Sequence, residues 1–203
     1  MKPRRKNLVI RAFVAIQLPA EVKNKIGHTI AQLREEIGDG KITWVDPAIY
    51  HLTLKFLGDI EAEDLKNLGE SISDVAFTLR AFKMEVSTFG VFPTIRKPRV
   101  MWIGLFEKSG ALNSLKIALD KSLEPLGFEV ERRKFHPHIT VGRVRRSTSR
   151  RDVSDLIPTL EHFSVDYLAT FLVDRIELVR SDLTPSGPKY STLEQFQLSG
   201  ITE

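Results

Sequence analysis

Apolar and polar residues alternate at the start of the chain, with Ile10, Ala12, Val14, Ile16 and Leu18 on one side and Arg11, Phe13, Ala15 and Gln17 on the other, which predicts a strand. The period then lengthens to that of a helix. Pro19-Ala20-Glu21 opens it, Val22, Ile26, Ile30, Leu33 and Ile37 form its inward stripe, and Gly38-Asp39-Gly40 ends it. His28 falls off that stripe and is expected in solvent. A short strand around Ile42 to Val45 precedes Pro47, a second runs from Tyr50 to Leu57 and closes at Gly58-Asp59, and Glu61 to about Phe77 reads as a helix with Leu65, Leu68, Ile72 and Val75 inward.

Strands are then expected at Phe82 to Phe89 and Arg99 to Leu105, joined by residues 90–98 with Phe92 near the tip of the connection. Gly110 to Leu126 reads as a helix with Leu112, Leu115, Leu119 and Leu123 on one side, followed by a strand at about His136 to Val144 and a basic loop over 143–151. A short helix is expected at Asp152 to Leu160. Strands at Phe163 to Leu168, Val173 to Arg180 and Tyr190 to Leu198 finish the chain, with residues 181–188 as a turn-rich loop. Several strands are joined by connections too short for parallel crossovers, so the class is α+β, with mainly antiparallel sheets and helices outside. No Gly/Ser-rich linker divides the chain, and residues 1–203 are expected to form one domain of two lobes.

Within that pattern one tetrad occurs twice: His51-Leu52-Thr53-Leu54 and, 87 positions on, His138-Ile139-Thr140-Val141. Because residues i and i+2 of a strand share a face, each tetrad shows an imidazole and a hydroxyl on one side and two aliphatic groups on the other. A single such strand is ordinary. Two at this spacing point to a duplicated lobe, with both polar faces meeting at a shared cleft.

Composition narrows the chemistry. The chain has 203 residues, 42% hydrophobic and 28% charged, with a net charge of +4, so an anionic partner is allowed but not demanded. It has no cysteine, which removes disulfides, thiolate metal sites and Cys nucleophiles. The five histidines, at 28, 51, 136, 138 and 162, form no His-x3-His or His-Glu-x2-His pattern, and neither a metal nor a cofactor is expected. The charged start and the apolar run after it superficially resemble a signal peptide, but Arg11 and Gln17 interrupt the run. No run approaches the roughly 18 apolar residues of a membrane span, and a cytoplasmic protein with no membrane association is expected.

Two histidines across a cleft, each with an ordinary pKa near 6.5, can act as one base and one acid near neutral pH. The neighbouring threonine hydroxyls can donate to an oxygen that gains charge during phosphoryl transfer. The chain has no Gly-x-Ser-x-Gly elbow and no Gly-x4-Gly-Lys-Ser/Thr phosphate loop. Acid–base hydrolysis of a phosphodiester without a metal is the reaction that fits.

The residues carry a resemblance to the 2H phosphoesterase superfamily and, within it, to the RNA 2′,3′-cyclic phosphodiesterases, also called 2′-5′ RNA ligases or LigT-like proteins. It rests on Arg11 to Ile16, His51 to Gly58, Gly90-Val91-Phe92-Pro93, Pro98 to Trp102, Pro137 to Arg143 and Ser186 to Tyr190. The resemblance implies two pseudo-symmetric lobes around a central cleft and hydrolysis of a 2′,3′-cyclic phosphate to a 2′-phosphate. It makes His51 the proton donor to the departing O3′, His138 the acceptor that activates water, and Thr53 and Thr140 the holders of the phosphate. Exchanging the two histidines fits the sequence equally well. RNA or nucleotides with 2′,3′-cyclic phosphate ends, tRNA halves among them, are the implied partners, with 2′-5′ ligation as the reverse step.

Arg143 matches a substrate-contacting position of the family, yet simple alternation turns it away from the cleft, so a bulge is expected at Gly142. Phe56 has the same offset from His51 and no adjacent glycine, and is expected in the core with Leu52 and Leu54. Phe92 is expected either to stack on a base or on the terminal nucleotide or to serve as an aromatic lid over the core, and Arg143 to stack or bind phosphate. Pro137 argues that strand pairing only begins near His136. Arg145, Arg146, Arg150 and Arg151, with Arg96, Lys97 and Arg99, could track an RNA backbone, although such runs are commonly solvated faces. A protein that only binds a nucleotide or RNA end in the same cleft is the alternative, and cleavage of 2′-5′ oligoadenylate or of ADP-ribose cyclic phosphate is a third reading. With no exposed heptad pattern, a monomer is expected.

Overall fold

The computed structural model describes residues 8–185 and 187–199; the basic start of the chain and Ser186 lie outside them. Within the described residues nine strands form two antiparallel sheets. The first has the order β3-β1-β8-β9, built from β1 (Val9–Gln17), β3 (His51–Glu61), β8 (Arg175–Thr184) and β9 (Gly187–Gln197). The second has the order β2-β6-β5-β4-β7, built from β2 (Ile42–Trp44), β4 (Phe82–Thr94), β5 (Lys97–Phe106), β6 (His138–Val144) and β7 (Ala169–Val173). Helices α1 (Ala20–Ile37), α2 (Leu65–Phe77), α3 (Ala111–Leu123) and α4 (Arg150–His162) complete it.

The expected α+β class and paired lobes are present. β1, α1, β3 and α2 recur in the same order as β5, α3, β6 and α4, and in each set the motif strand pairs antiparallel with the strand before the helix. The sheets do not follow the halves of the sequence, however. β2, from the first half, forms an edge of the second sheet, while β8 and β9, from the end of the chain, complete the first.

The helical stripes bury as their spacing predicts: Val22, Ile26, Ile30 and Leu33 on α1, Leu68, Ile72 and Val75 on α2, and Leu112, Leu115, Leu119 and Leu123 on α3. His28 is exposed. β1 is buried on both faces. Ala12, Val14 and Ile16 enter the main core, while Phe13 and Ala15 form a small second cluster with Val179, capped by Tyr190. That second cluster floors the cleft.

Three expectations are corrected. β4 and β5 run on through residues 90–94 and 97–100, so Phe92 lies within a strand opposite Val100 and not near a loop tip. Residues 163–168 form no strand; β7 begins at Ala169, where pairing with Val86 of β4 supplies the ladder bonds. The expected loop over 181–188 is mostly sheet, with Leu183 paired to Pro188 and Thr184 to Gly187.

Behind the first motif strand lies a buried charge cluster. Lys55 Nζ donates to Asp120 Oδ1 at 2.6 Å and to the Glu129 carbonyl at 2.8 Å, and Lys116 donates to the other carboxylate oxygen. Lys55, Lys116 and Asp120 are each 6% exposed. Because Asp120 and Lys116 sit on α3 and Glu129 on the segment leading to β6, the cluster fastens β3 to α3 and to that segment.

Candidate active site

β3 is an edge strand of the first sheet and β6 an inner strand of the second, and their Cα atoms approach within 8 Å. The two tetrads therefore meet across the junction of the sheets. His51, Thr53, His138 and Thr140 are half-buried on facing surfaces, while Leu52, Leu54, Ile139 and Val141 are buried on the opposite ones.

Each imidazole is held in the same way. Nδ1 of His51 lies 2.8 Å from the carbonyl of Ile49, and Nδ1 of His138 lies 2.6 Å from the carbonyl of His136. A carbonyl can only accept, so in both neutral rings Nδ1 carries the proton and Nε2 presents a lone pair. Nε2 of His51 is 3.1 Å from Thr53 Oγ1, whereas Nε2 of His138 has no partner among the described residues.

Aromatic rings fix both imidazoles laterally. Phe13 and Tyr190 lie 4.9 and 5.1 Å from the His51 ring, and Phe92 and Trp102 lie 5.1 and 6.3 Å from the His138 ring. Trp102 in turn lies flat against Gly90, where a Cβ would fall 2.1 Å from the indole, so only glycine admits it. His136 precedes β6, is exposed, and packs against Trp102 and Phe92 at 5.0 and 5.5 Å.

Burial lowers the pKa of both histidines below the usual 6.5. The carbonyl bonds oppose that shift. Nearby positive charge adds to it, from Lys23 and His138 at His51 and from His136 and Arg143 at His138. Lys23 donates to the Ala48 carbonyl at 2.8 Å and to Gln17 Oε1 at 3.4 Å; burial lowers its pKa, and the field of Glu177 opposes the shift. Glu177 is buried beneath the same face, accepting from Thr192 Oγ1 at 2.8 Å and Gln195 Nε2 at 2.9 Å.

The expected bulge in β6 is present. Thr140 pairs with Trp102 and Gly142 with Met101, which leaves Val141 unpaired, puts two buried residues in succession and turns Arg143 to the cleft side. β3 contains the same device without a glycine. Thr53 pairs with Ala15 and Lys55 with Val14, leaving Leu54 unpaired, so Lys55 turns inward and Phe56 outward. Phe56 is 71% exposed, which corrects its expected place in the core. Phe56 and Arg143 line one cavity of about 280 Å³, together with Arg11, Phe13, Leu183 and Tyr190. Burial raises the pKa of Tyr190 while the fields of Arg143 and Arg11 oppose the rise, so both guanidinium groups act on its hydroxyl.

The structure thus brings together the four motif residues and Arg143, and sets Phe92 against His138. Phe56, Phe13, Tyr190 and Trp102 are the additions that sequence reasoning missed; for Phe56 the signal was available, in the equal offsets from the two histidines. Among the described residues, no three or more His, Asp or Glu side chains converge where they could share a metal ion, and no helix is long and apolar enough to cross a membrane.

The family model described as LigT like Phosphoesterase matches residues 16–102 and 104–190. A protein of Methanothermobacter thermautotrophicus named RNA 2′,3′-cyclic phosphodiesterase is 32% identical over 93% of this chain and 99% of its own length. One of the same name from Thermotoga maritima is 34% identical over 94% and 97%. Among solved structures, Escherichia coli LigT complexed with 3′-AMP superimposes with a TM-score of 0.74 at 25% identity, covering 95% of this chain and 99% of that one. A protein of Thermus thermophilus gives a TM-score of 0.76 at 27% identity over 94% and 99%. With the doubled His-x-Thr-x strand on both sides of one cleft and the family match extending over most of its length, the chain belongs to the LigT-like phosphoesterases.

Proposed function

We propose that the protein is an RNA 2′,3′-cyclic phosphodiesterase that opens the cyclic phosphate to a 2′-phosphate by acid–base catalysis between His51 and His138. The observation that carries this reading is the matched anchoring of the two imidazoles, each Nδ1 bonded to the carbonyl two residues earlier and each Nε2 presented to the cleft. Such a pair needs one proton-bearing and one proton-free ring at the start of each turnover.

In this mechanism a water oxygen attacks phosphorus opposite O3′, giving a proton to Nε2 of His138, while Nε2 of His51 protonates O3′ as the P–O3′ bond breaks. The product has a 2′-phosphate and a 3′-hydroxyl, and exchange with solvent resets both rings. The assignment follows the family resemblance. It is supported by Nε2 of His138 having no protein partner among the described residues, which leaves its lone pair open to a water. Thr53 and Thr140 donate to the phosphate oxygens that gain charge in the transition state. Phe56 and Arg143 hold the terminal nucleotide between a ring and a guanidinium plane, and Phe92 keeps His138 in place. The same step with an RNA 5′-hydroxyl in place of water, starting from the cyclic phosphate, forms a 2′-5′ linkage.

The test is product analysis. Incubation with an RNA ending in 2′,3′-cyclic phosphate should raise its mass by one water and give a terminal phosphate that NMR places on O2′. A 3′-phosphate would overturn the direction of opening. Tight binding without turnover would leave the binding-protein reading in its place.

A further inference from the structure

A second cavity, larger than the one beside the histidines, has a volume of about 780 Å³ and lies beyond Arg143, between the β4–β5 turn and the segment joining β6 to α4. Six bases line it: Arg96, Lys97, Arg99, Arg145, Arg146 and Arg150. All six are exposed, and none enters an ion pair among the described residues. Asp152, in the first turn of α4, is engaged by Ser149 and faces Lys41 at 3.9 Å.

This cluster accounts for more than the whole excess charge of the chain. Of 30 Lys and Arg, the 24 outside it face 26 Asp and Glu. The field of Arg145 acts on Asp39, but none of the six is ion-paired among the described residues, so they repel one another and their grouping is favoured when an anion shares the space. The frame beneath them is built. Arg145 N donates to the Lys41 carbonyl at 2.9 Å, Arg145 Nε to that of Ile42 at 3.3 Å, and Thr148 Oγ1 to that of Lys41 at 3.1 Å, which ties the segment to β2.

The groove lies one residue beyond the cleft along β4 and β6, and its lining shares no residue with the cavity beside the histidines. Pro93 and Val144 on its wall follow Phe92 and Arg143 in sequence, and those two residues both pair with Val100 across β5. With the bulge subtracted, β6 carries the chain from Thr140 to Arg145 over roughly 13 Å. That exceeds what a single nucleotide on Thr140 and Arg143 would occupy. The lining beyond Pro93 holds no aromatic ring, so nothing there stacks on bases.

We infer that this groove is a phosphate track for the single-stranded RNA lying 5′ to the reacting end, read by charge and not by base, an inference that rests on the proposed reading of the cleft. A terminal cyclic phosphate has its chain only on the 5′ side, so a strand anchored at the histidines leaves the cleft past Arg143 into the groove. Of the seven bases that the sequence offers as an RNA track, only Arg151 is absent from its lining.

The test compares wild type with the R96A/R146A/R150A variant, whose three side chains carry no hydrogen bond or ion pair of the fold among the described residues. Binding is measured for a single-stranded RNA of about ten nucleotides ending in a 2′-phosphate and for the corresponding mononucleotide, at several salt concentrations. The variant should bind the RNA at least about tenfold more weakly, reduce the slope of log affinity against log salt by about 2, and bind the mononucleotide as before. Unchanged RNA affinity and slope would overturn the inference, as would an equal loss for both ligands. Tighter binding to a duplex of the same length would overturn the single-strand assignment. These ligands are not turned over, so failure of wild type to open a cyclic phosphate would count against the catalytic reading while the comparison still decides the groove.

Discussion

Phe56 and Arg143 stand five residues beyond His51 and His138, and matching bulges turn both side chains into one cavity beside the histidines. The duplication therefore extends past the tetrads to the position proposed to grip the nucleotide, an aromatic ring in one lobe and a guanidinium in the other. Phe56→Ala should lower kcat/KM on a cyclic nucleotide by the cost of one base–aromatic stack, about 1–3 kcal/mol. Because the ring is exposed, the melting temperature should hardly change. Steady-state kinetics with a melting curve reads both; a large stability loss with kcat/KM intact would return Phe56 to a structural role.

The pH profile follows from the direction of the histidine shifts. Burial lowers both pKa values below 6.5, so the free protein holds one proton on the pair mainly at pH values below 6.5. The plot of kcat/KM against pH should be a bell whose basic limb falls below pH 6.5. Bound phosphate, being anionic, favours the protonated ring, so the basic limb of kcat should lie at higher pH. A basic limb of kcat/KM well above 6.5 would contradict the buried setting of the pair.

Gly142 sits where packing limits the size of a side chain. An added Cβ would meet Met101 Cε at 2.5 Å, Ile42 Cγ2 at 3.1 Å and Trp44 Cε3 at 3.2 Å. Met101 is flexible at that end, so Gly142→Ala should be tolerated. Gly142→Val should cost about 1–3 kcal/mol and, by displacing the bulge, weaken nucleotide binding through Arg143. Denaturant titration with nucleotide affinity separates the two effects; full affinity in the valine variant would detach Arg143 from the bulge.

Asp120 holds two buried ammonium groups. Burial alone pushes its carboxyl upward, but Lys116 and Lys55 outweigh this and hold it below the ordinary range. Asp120→Ala leaves those ammonium groups without their carboxylate and should cost about 3–5 kcal/mol near neutral pH. The wild-type advantage belongs to the ionised carboxylate, so it is full above the unfolded value near 3.9 and fades as pH falls through the lower folded value. Urea titrations at neutral and acidic pH check this; an advantage independent of pH would locate it in packing.

Much of this site was legible because it is written in short-range pattern. Period-2 alternation put His and Thr on one face of each tetrad, and the doubled tetrad implied that the faces meet. The bulge at Gly142 was legible because Arg143 had to be returned to the cleft. Its twin in β3 was marked only by the equal offset of Phe56 from His51, because Leu54 and Lys55 form that bulge without a glycine. Lys55 turns inward because Asp120, 65 positions away, receives it, and such a partner leaves no trace in local periodicity. The same limit applies to β2 and to β8 and β9, whose exchange between sheets is set by long-range pairing. Phe92 was misplaced because Pro93 and Pro98 read as loop punctuation, yet they pair with each other across the β4–β5 hairpin.

The central claim, that His51 and His138 act as an acid–base pair on a cyclic phosphate, is tested most directly by single-turnover assays of wild type, His51→Ala and His138→Ala on an RNA ending in 2′,3′-cyclic phosphate, with EDTA present. Wild type should convert the end to a 2′-phosphate. Each variant should still bind the RNA but open the end more slowly by about 10²–10⁴-fold. Turnover near the wild-type rate in either variant, or its loss in wild type when EDTA is added, would contradict the account.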